Sequence, residues 1–159
     1  MSKITFYRDL YQQVEALISD EADVIANMAN VSALLFEQLS DVNWVGFYRL
    51  LNEELVLGPF QGKVACIRIP LARGVCGTAA ALNQVQRIDD VHSFDGHIAC
   101  DARSNAEIVL PIMLNNKVIA VLDIDSIAFN RFDNEDQQGL EKIVRLFEDV
   151  MIKHGVVNL

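Results

Sequence analysis

Glu107-Ile-Val-Leu-Pro-Ile-Met-Leu114, then Asn115-Asn-Lys117, then Val118-Ile-Ala-Val-Leu-Asp-Ile-Asp125 form the stretch whose reading decides the fold. Two aliphatic, β-branched runs flank a polar turn, which is the pattern of an antiparallel hairpin. A two-residue loop would pair Leu114 with Lys117 and carry Ile108 opposite Asp123, mixing aliphatic and acidic side chains on one face. A three-residue loop, Asn115 to Lys117, pairs Leu114 with Val118, Ile112 with Ala120, Leu110 with Leu122, and Ile108 with Ile124. The large aliphatic pairs then share a face. Because a one-residue slip turns a whole strand over, the pattern favours the three-residue loop. The opposite face gathers Glu107 opposite Asp125, with Asp123 diagonal to Glu107. This acidic corner adjoins Val109, Met113, Ile119 and Val121, an apolar surface that requires a cover.

The natural cover lies just upstream. Asp89 to Asn105 is long and almost without periodicity, and such connections inside a compact domain are often functional. Before it, Trp44 to Leu51 and Leu55 to Gln61 read as strands paired around Asn52-Glu53. Ala65 to Leu71 and Val85 to Ile88 read as shorter strands, with a short helix over Gly74 to Leu82 between them.

The ends of the chain are helical. Ile4, Tyr7, Tyr11, Val14 and Ile18 form one apolar stripe, and Val24, Ile25, Met28, Val31, Leu35 and Leu39 a second. The last helix has Asp133 as N-cap and Gly155 as terminator, with Leu140, Ile143, Val144, Phe147, Val150 and Met151 on its stripe. Strands framed by terminal helices imply an α+β domain with a mostly antiparallel sheet and helices on one face. The near-heptad spacing of the first helix is compatible with a homodimer interface, but packing on the chain's own sheet is the expected use.

Composition bounds the function. The 159 residues carry 52% hydrophobic and 22% charged side chains, as expected for one globular domain spanning 1–159, with no repeat or linker. No apolar run is long enough to span a membrane, and no signal peptide is evident, so a cytoplasmic location is expected. A net charge of −9 argues against nucleic acid or an anionic membrane as partner.

Three cysteines do not make a disulfide framework, leaving packing, metal ligation or redox chemistry. Cys66 alternates with Ile67 and Ile69, and taken alone is best read as packing. Cys100 sits in the aperiodic connection, in His97-Ile-Ala-Cys-Asp101, where an accessible thiol can react. Cys76 follows Gly74 at the start of a short helix, whose amides favour a thiolate. A metal site fits poorly, since the cysteines have no C-x-x-C pair and only His97 lies at ligand spacing from Cys100. In isolation each acid of the corner reads as a solvated strand end. Together they suit a ligand ammonium, and like charges at close range raise a carboxyl pKa towards proton donation. Trp44 and Tyr48 alternate in phase with Gly46, as core residues or as a flat wall beside a gap.

At this point a family resemblance enters. Asn43-Trp-Val-Gly-Phe-Tyr48, Gly58-Pro-Phe-Gln-Gly62, Ala65-Cys-Ile-Arg-Ile69, Gly74-Val-Cys-Gly-Thr78, His97-Ile-Ala-Cys-Asp101 and Leu122-Asp-Ile-Asp-Ser126 closely resemble the free methionine-(R)-sulfoxide reductases, which are stand-alone GAF domains. The resemblance runs in order over nearly the whole chain. It implies a six-stranded antiparallel sheet with the ligand site on the face opposite the terminal helices. It also implies Cys100 as nucleophile, Cys66 as resolving cysteine and Cys76 as auxiliary resolver. By the same resemblance Glu107, Asp123 and Asp125 hold the substrate's amino group and sulfoxide oxygen, while Trp44 and Tyr48 wall its methyl group. Thioredoxin is the implied reductant, with no metal or organic cofactor. The alternative on the same fold is a non-catalytic GAF module that binds a small ligand or senses redox state. The cysteine set and the lack of an output domain in the chain favour the enzyme.

Overall fold

The computed structural model describes residues 1–98 and 101–159, and its chain order is α1 (Lys3–Ile18), α2 (Val24–Gln38), β1 (Val42–Leu51), β2 (Glu54–Gly62), β3 (Arg68–Pro70), α3 (Gly74–Leu82), β4 (Gln86–Ile88), β5 (Ala106–Leu114), β6 (Lys117–Ser126) and α4 (Asn134–Lys153). A short 3₁₀ turn, Val91–Ser93, interrupts the connection between β4 and β5. The strands form one six-stranded sheet in the order β3-β2-β1-β6-β5-β4, with antiparallel pairing throughout.

The β5–β6 hairpin keeps the expected aliphatic pairs but reaches them differently. Ile108 faces Ile124, Leu110 faces Leu122 and Ile112 faces Ala120, yet Leu114 pairs with Lys117 across a two-residue turn. Asn115 and Asn116 both take positive φ, 52° and 62°, as a turn matched to strand twist requires. A bulge between Ile112 and Met113 then absorbs the residue that the three-residue loop was meant to supply. The patterning argument holds for the strands and fails at the turn, because a bulge shifts register without moving the loop. The β1–β2 turn is built in the same way, with Asn52 at φ 50° and Glu53 at φ 64°.

Helix ends follow their caps. Ser2 accepts from Thr5 N at 3.1 Å, Asp23 accepts from Ala26 N at 2.9 Å, and Asp133 with Asp136 closes a reciprocal capping box on α4. The α1 stripe runs through Tyr7, Leu10, Val14 and Ile18, whereas Ile4 is exposed. Leu10 stands three residues from Tyr7 and four from Val14, and so completes the line that the expected stripe drew through Ile4 and Tyr11. In α2, Met28, Val31 and Leu35 are buried as expected and Ile25 is exposed. No described helix is long and apolar enough to cross a membrane.

The two faces of the sheet carry separate buried clusters. Helices α1, α2 and α4 pack against Val45, Phe47, Ile108, Leu110, Leu122 and Ile124. On the other face a smaller cluster joins Trp44, Tyr48, Val109 and Val121 to Val75 and Cys76 of α3.

The expected strand from Ala65 to Leu71 contracts to Arg68–Pro70, which leaves Cys66 in an irregular segment. Here the carbonyl of Cys66 accepts the Tyr48 hydroxyl at 2.9 Å, and only the next carbonyl, that of Ile67, accepts from β2, from Leu57 N at 2.9 Å.

Candidate active site

Register assembles the site. Across β1, β6 and β5, Trp44 pairs with Asp125 and Asp125 with Glu107; in the next rank Gly46 pairs with Asp123 and Asp123 with Val109. The acidic corner expected from the hairpin is therefore present, and β1 sets Trp44 directly beside it. Trp44 stacks on Tyr48 with ring centroids 5.9 Å apart, and on Phe60 at 5.3 Å. Gly46 makes the flat packing possible, because a Cβ there would lie 2.6 Å from the indole Cη2. The indole nitrogen donates to the carbonyl of Lys63 at 3.1 Å, and both aromatic residues are buried.

Helix α3 roofs the acids. Cys76 Sγ donates to Glu107 Oε1 at 3.9 Å, and donor atoms of Cys76, Glu107 and Asp123 all lie within 4.8 Å of one another. Cys76, Glu107 and Asp123 are buried, and Asp125 is half-buried. Burial pushes the Glu107 carboxyl well above its ordinary range, and the charge of Asp125 adds to the shift. Asp123 is pushed up by burial and by the neighbouring Glu107 carboxyl. Asp125 is pushed up by burial and by Asp123 and Asp101. Buried carboxyls crowded together in this way are pushed towards the protonated form. Asp123 Oδ1 is buried without a hydrogen-bond partner. A compact set of acidic oxygens with an open acceptor suits an ammonium, and its thiol and oxygens could also hold a divalent cation.

The expectation for Cys76 changes here. Helix-terminal amides were expected to favour its thiolate. Instead burial, followed by Asp123 and Glu107, pushes the thiol well above its ordinary value. It is held as a hydrogen-bond donor, not as a ready nucleophile. Cys66 is partly buried and held in a disulfide, whereas Cys76 is a free thiol. Cys100 lies outside the described residues.

The cover is composite. Val64 and Ala65, the start of α3, and His97, Ile98, Asp101 and Ser104 line a cavity of about 30 Å³ above the acids. Asp101 accepts from Arg103 Nη2 at 2.8 Å and from Asn43 Nδ2 at 3.1 Å, and Asn43 also donates to Ser104 Oγ at 3.1 Å. The Arg103 guanidinium holds the Asp101 carboxyl well below the usual range, so it stays ionised. Sequence reasoning assigned no role to His97, Asn43 or Asp101. One signal was available for Asp101, whose side chain accepts from Arg103 N two residues on, an Asx turn written as Asp-x-Arg. Nothing local marks Asn43, because its partners lie 58 and 61 residues away.

Comparisons with known proteins converge on this description. Residues 14–150 match the GAF domain. The chain is 60% identical to the free methionine-R-sulfoxide reductase of Escherichia coli over 95% of its length and 92% of that protein's. Among solved structures it resembles the Neisseria meningitidis free methionine-R-sulfoxide reductase in complex with its substrate, at TM-score 0.93 and 39% identity, covering 98% of this chain and 93% of that one. It also resembles fRMsr of Staphylococcus aureus in complex with substrate, at TM-score 0.88 and 50% identity, covering 91% and 95%. With the fold, the acidic corner, the aromatic wall and these likenesses in agreement, the chain belongs to the free methionine-R-sulfoxide reductases of the GAF-domain family.

Proposed function

We propose that this chain reduces free L-methionine (R)-sulfoxide to methionine, with Cys100 as nucleophile, Cys66 as resolving thiol and Cys76 as a slow reserve. The observation that carries the reading is the corner of Glu107, Asp123 and Asp125, brought together by strand register beside the stacked Trp44–Tyr48 wall. The carboxylates take the substrate ammonium, one protonated carboxyl donates to the sulfoxide oxygen, and the aromatic wall receives the methyl group. A peptide-linked methionine sulfoxide offers an uncharged amide in place of the ammonium, so the corner selects the free amino acid.

The chemistry follows from these roles. The Cys100 thiolate attacks sulfur while a carboxyl protonates the oxygen, giving a tetravalent sulfur that carries both the Cys100 sulfur and a hydroxyl. The hydroxyl passes to the Cys100 sulfur as the bonds from methionine sulfur to oxygen and to Cys100 break, so methionine departs and Cys100 is left as a sulfenic acid. The Cys66 thiol displaces its hydroxyl as water and forms a disulfide, which the dithiol of thioredoxin reopens by exchange. The disulfide at Cys66 and the protonated, buried state of Cys76 support this division of labour.

The test is thioredoxin-coupled turnover with separated R and S epimers of free methionine sulfoxide. Turnover confined to the R epimer is expected. Binding of either epimer without methionine release would favour a non-catalytic ligand-binding module instead.

A further inference from the structure

Where α3 meets the acids, the fold gathers a donor set that the proposed reaction does not use together. Cys76 Sγ and one carboxylate oxygen each of Glu107 and Asp123 all lie within 4.8 Å of one another, with Cys76 Sγ 3.9 Å from Glu107 Oε1. The three residues come from α3, β5 and β6, so tertiary structure and not a local motif assembles them. They are 4%, 5% and 6% exposed. Asp123 Oδ1 has no hydrogen-bond partner among the described residues. A buried acceptor left unpaired is costly, and native structures keep few of them without a ligand or a role. The adjoining cavity of about 30 Å³, which Cys76, Glu107 and Asp123 all line, has the size of a bare ion with a water beside it.

We propose that Cys76, Glu107 and Asp123 bind a thiophilic divalent cation of the zinc class, and that this ion shuts out the substrate's ammonium. The exclusion rests on the ammonium reading of the two acids, whereas the ion site itself does not. A sulfur and an oxygen bound to one tetrahedral zinc stand about 3.5 Å apart, from bonds of about 2.3 and 2.0 Å. The observed 3.9 Å therefore needs only a small inward shift. One sulfur with two carboxylates suits zinc or cadmium, whereas magnesium and calcium prefer oxygen alone. The fourth position is left to water, as in open zinc sites. On binding, the thiol and any protonated carboxyl release their protons to solvent, lone pairs of sulfur and oxygen go to the metal, and nothing is oxidised or reduced. Such an ion engages Glu107, Asp123 and the reserve thiol at once, so it blocks recognition and Cys76 reversibly. The spacing of the cysteines gives no hint of the site, because one cysteine suffices and its partners come from distant strands.

Cadmium titration tests this on the untagged, full-length chain carrying Cys66→Ser and Cys100→Ser, in which Cys76 is the one thiol left of three. Cadmium chloride alone should bind once per chain and give the ultraviolet band of a single thiolate–cadmium bond. Wild type oxidised to the Cys66–Cys100 disulfide should give the same band, which frees the reading from the folding of any variant. Adding Asp123→Asn or Glu107→Gln, each checked by its melting curve, should raise the cadmium Kd about ten-fold or more, since even outer partners of a metal site are worth that much. Absence of the thiolate band, or a Kd unchanged by Asp123→Asn, overturns the site. L-Methionine should raise the apparent Kd, with D-methionine as the baseline because it chelates cadmium in solution equally. An L-methionine effect no larger than that baseline overturns the exclusion. Calorimetry of L-methionine on the metal-free chain then separates the two readings. If no methionine binds, the ammonium reading fails as well; if it binds, the failure is confined to the ion's claim on that site.

Discussion

Glu107 and Asp123 sit buried beside one another, and both carboxyls are pushed above their ordinary values by burial before any neighbour acts. Such groups favour catalysis at the expense of the folded state. A raised acid pKa means that the folded chain keeps a proton that the unfolded chain has already released. Folding stability is therefore greatest below the ordinary Glu value of 4.5 and declines as pH rises from there towards the raised value. Glu107→Gln should lose about ten- to hundred-fold in kcat/KM, the usual worth of a charge-assisted contact. The same variant should melt higher than wild type at neutral pH, and its melting temperature should fall less steeply with rising pH. Asp125→Asn should lose activity to a similar degree. Wild-type kcat/KM in both variants would reduce these acids to strand ends. The acids were legible in the sequence because their alternation with aliphatic residues put them on one face. The upward push on their pKa values was not, because it depends on burial under the roof formed by α3, far away along the chain.

Elements are joined on the helical side by a residue that periodicity does not reveal. Asp136 is a polar side chain 1% exposed at the start of α4. It accepts from Tyr7 Oη at 2.8 Å and Lys3 Nζ at 2.7 Å, and stands 3.4 Å from Arg131. It thereby pins α1 to α4 while also closing the α4 capping box. Asp136→Ala should destabilise the fold by about 3 kcal/mol, since it strands buried partners, and should leave KM unchanged because the helices lie across the sheet from the site. Chemical denaturation with parallel kinetics checks both halves. The N-cap Asp133 was evident from the sequence, but the long-range partners of Asp136 were not. A similar limit applies to the β5–β6 turn. Hydrophobic pairing of Ile108 with Ile124 and Leu110 with Leu122 could be read directly, whereas the bulge that reconciles it with a two-residue turn could not.

Across the whole molecule, the proposed redox pair joins two connections instead of a connection and a strand, because β3 begins only at Arg68. A bridge between them needs Cα atoms about 4.4–6.8 Å apart. Cys100→Ser should abolish turnover. Cys66→Ser should release about one methionine per enzyme in a single turnover and then stall or proceed slowly, as a nucleophile without its resolver does. Peptide mapping of enzyme oxidised by substrate and quenched by acid alkylation should find Cys66 joined to Cys100. A dominant Cys66–Cys76 bridge with Cys100 as free thiol would sink the assignment. Most of the fold could be read from the chain, but the joint cover made by residues 64–65, the start of α3, and His97, Ile98, Asp101 and Ser104 could not, since each part is short and meets the others only in space.

The separation of the two buried clusters has a historical consequence. The helical side secures the sheet without help from the side that meets the ligand. Descendants of such a sheet can exchange the residues of one surface for another chemistry while inheriting the other nearly intact. Substitutions should accumulate unevenly across the two sides, and a change of ligand should leave the ancestry recorded in the helices.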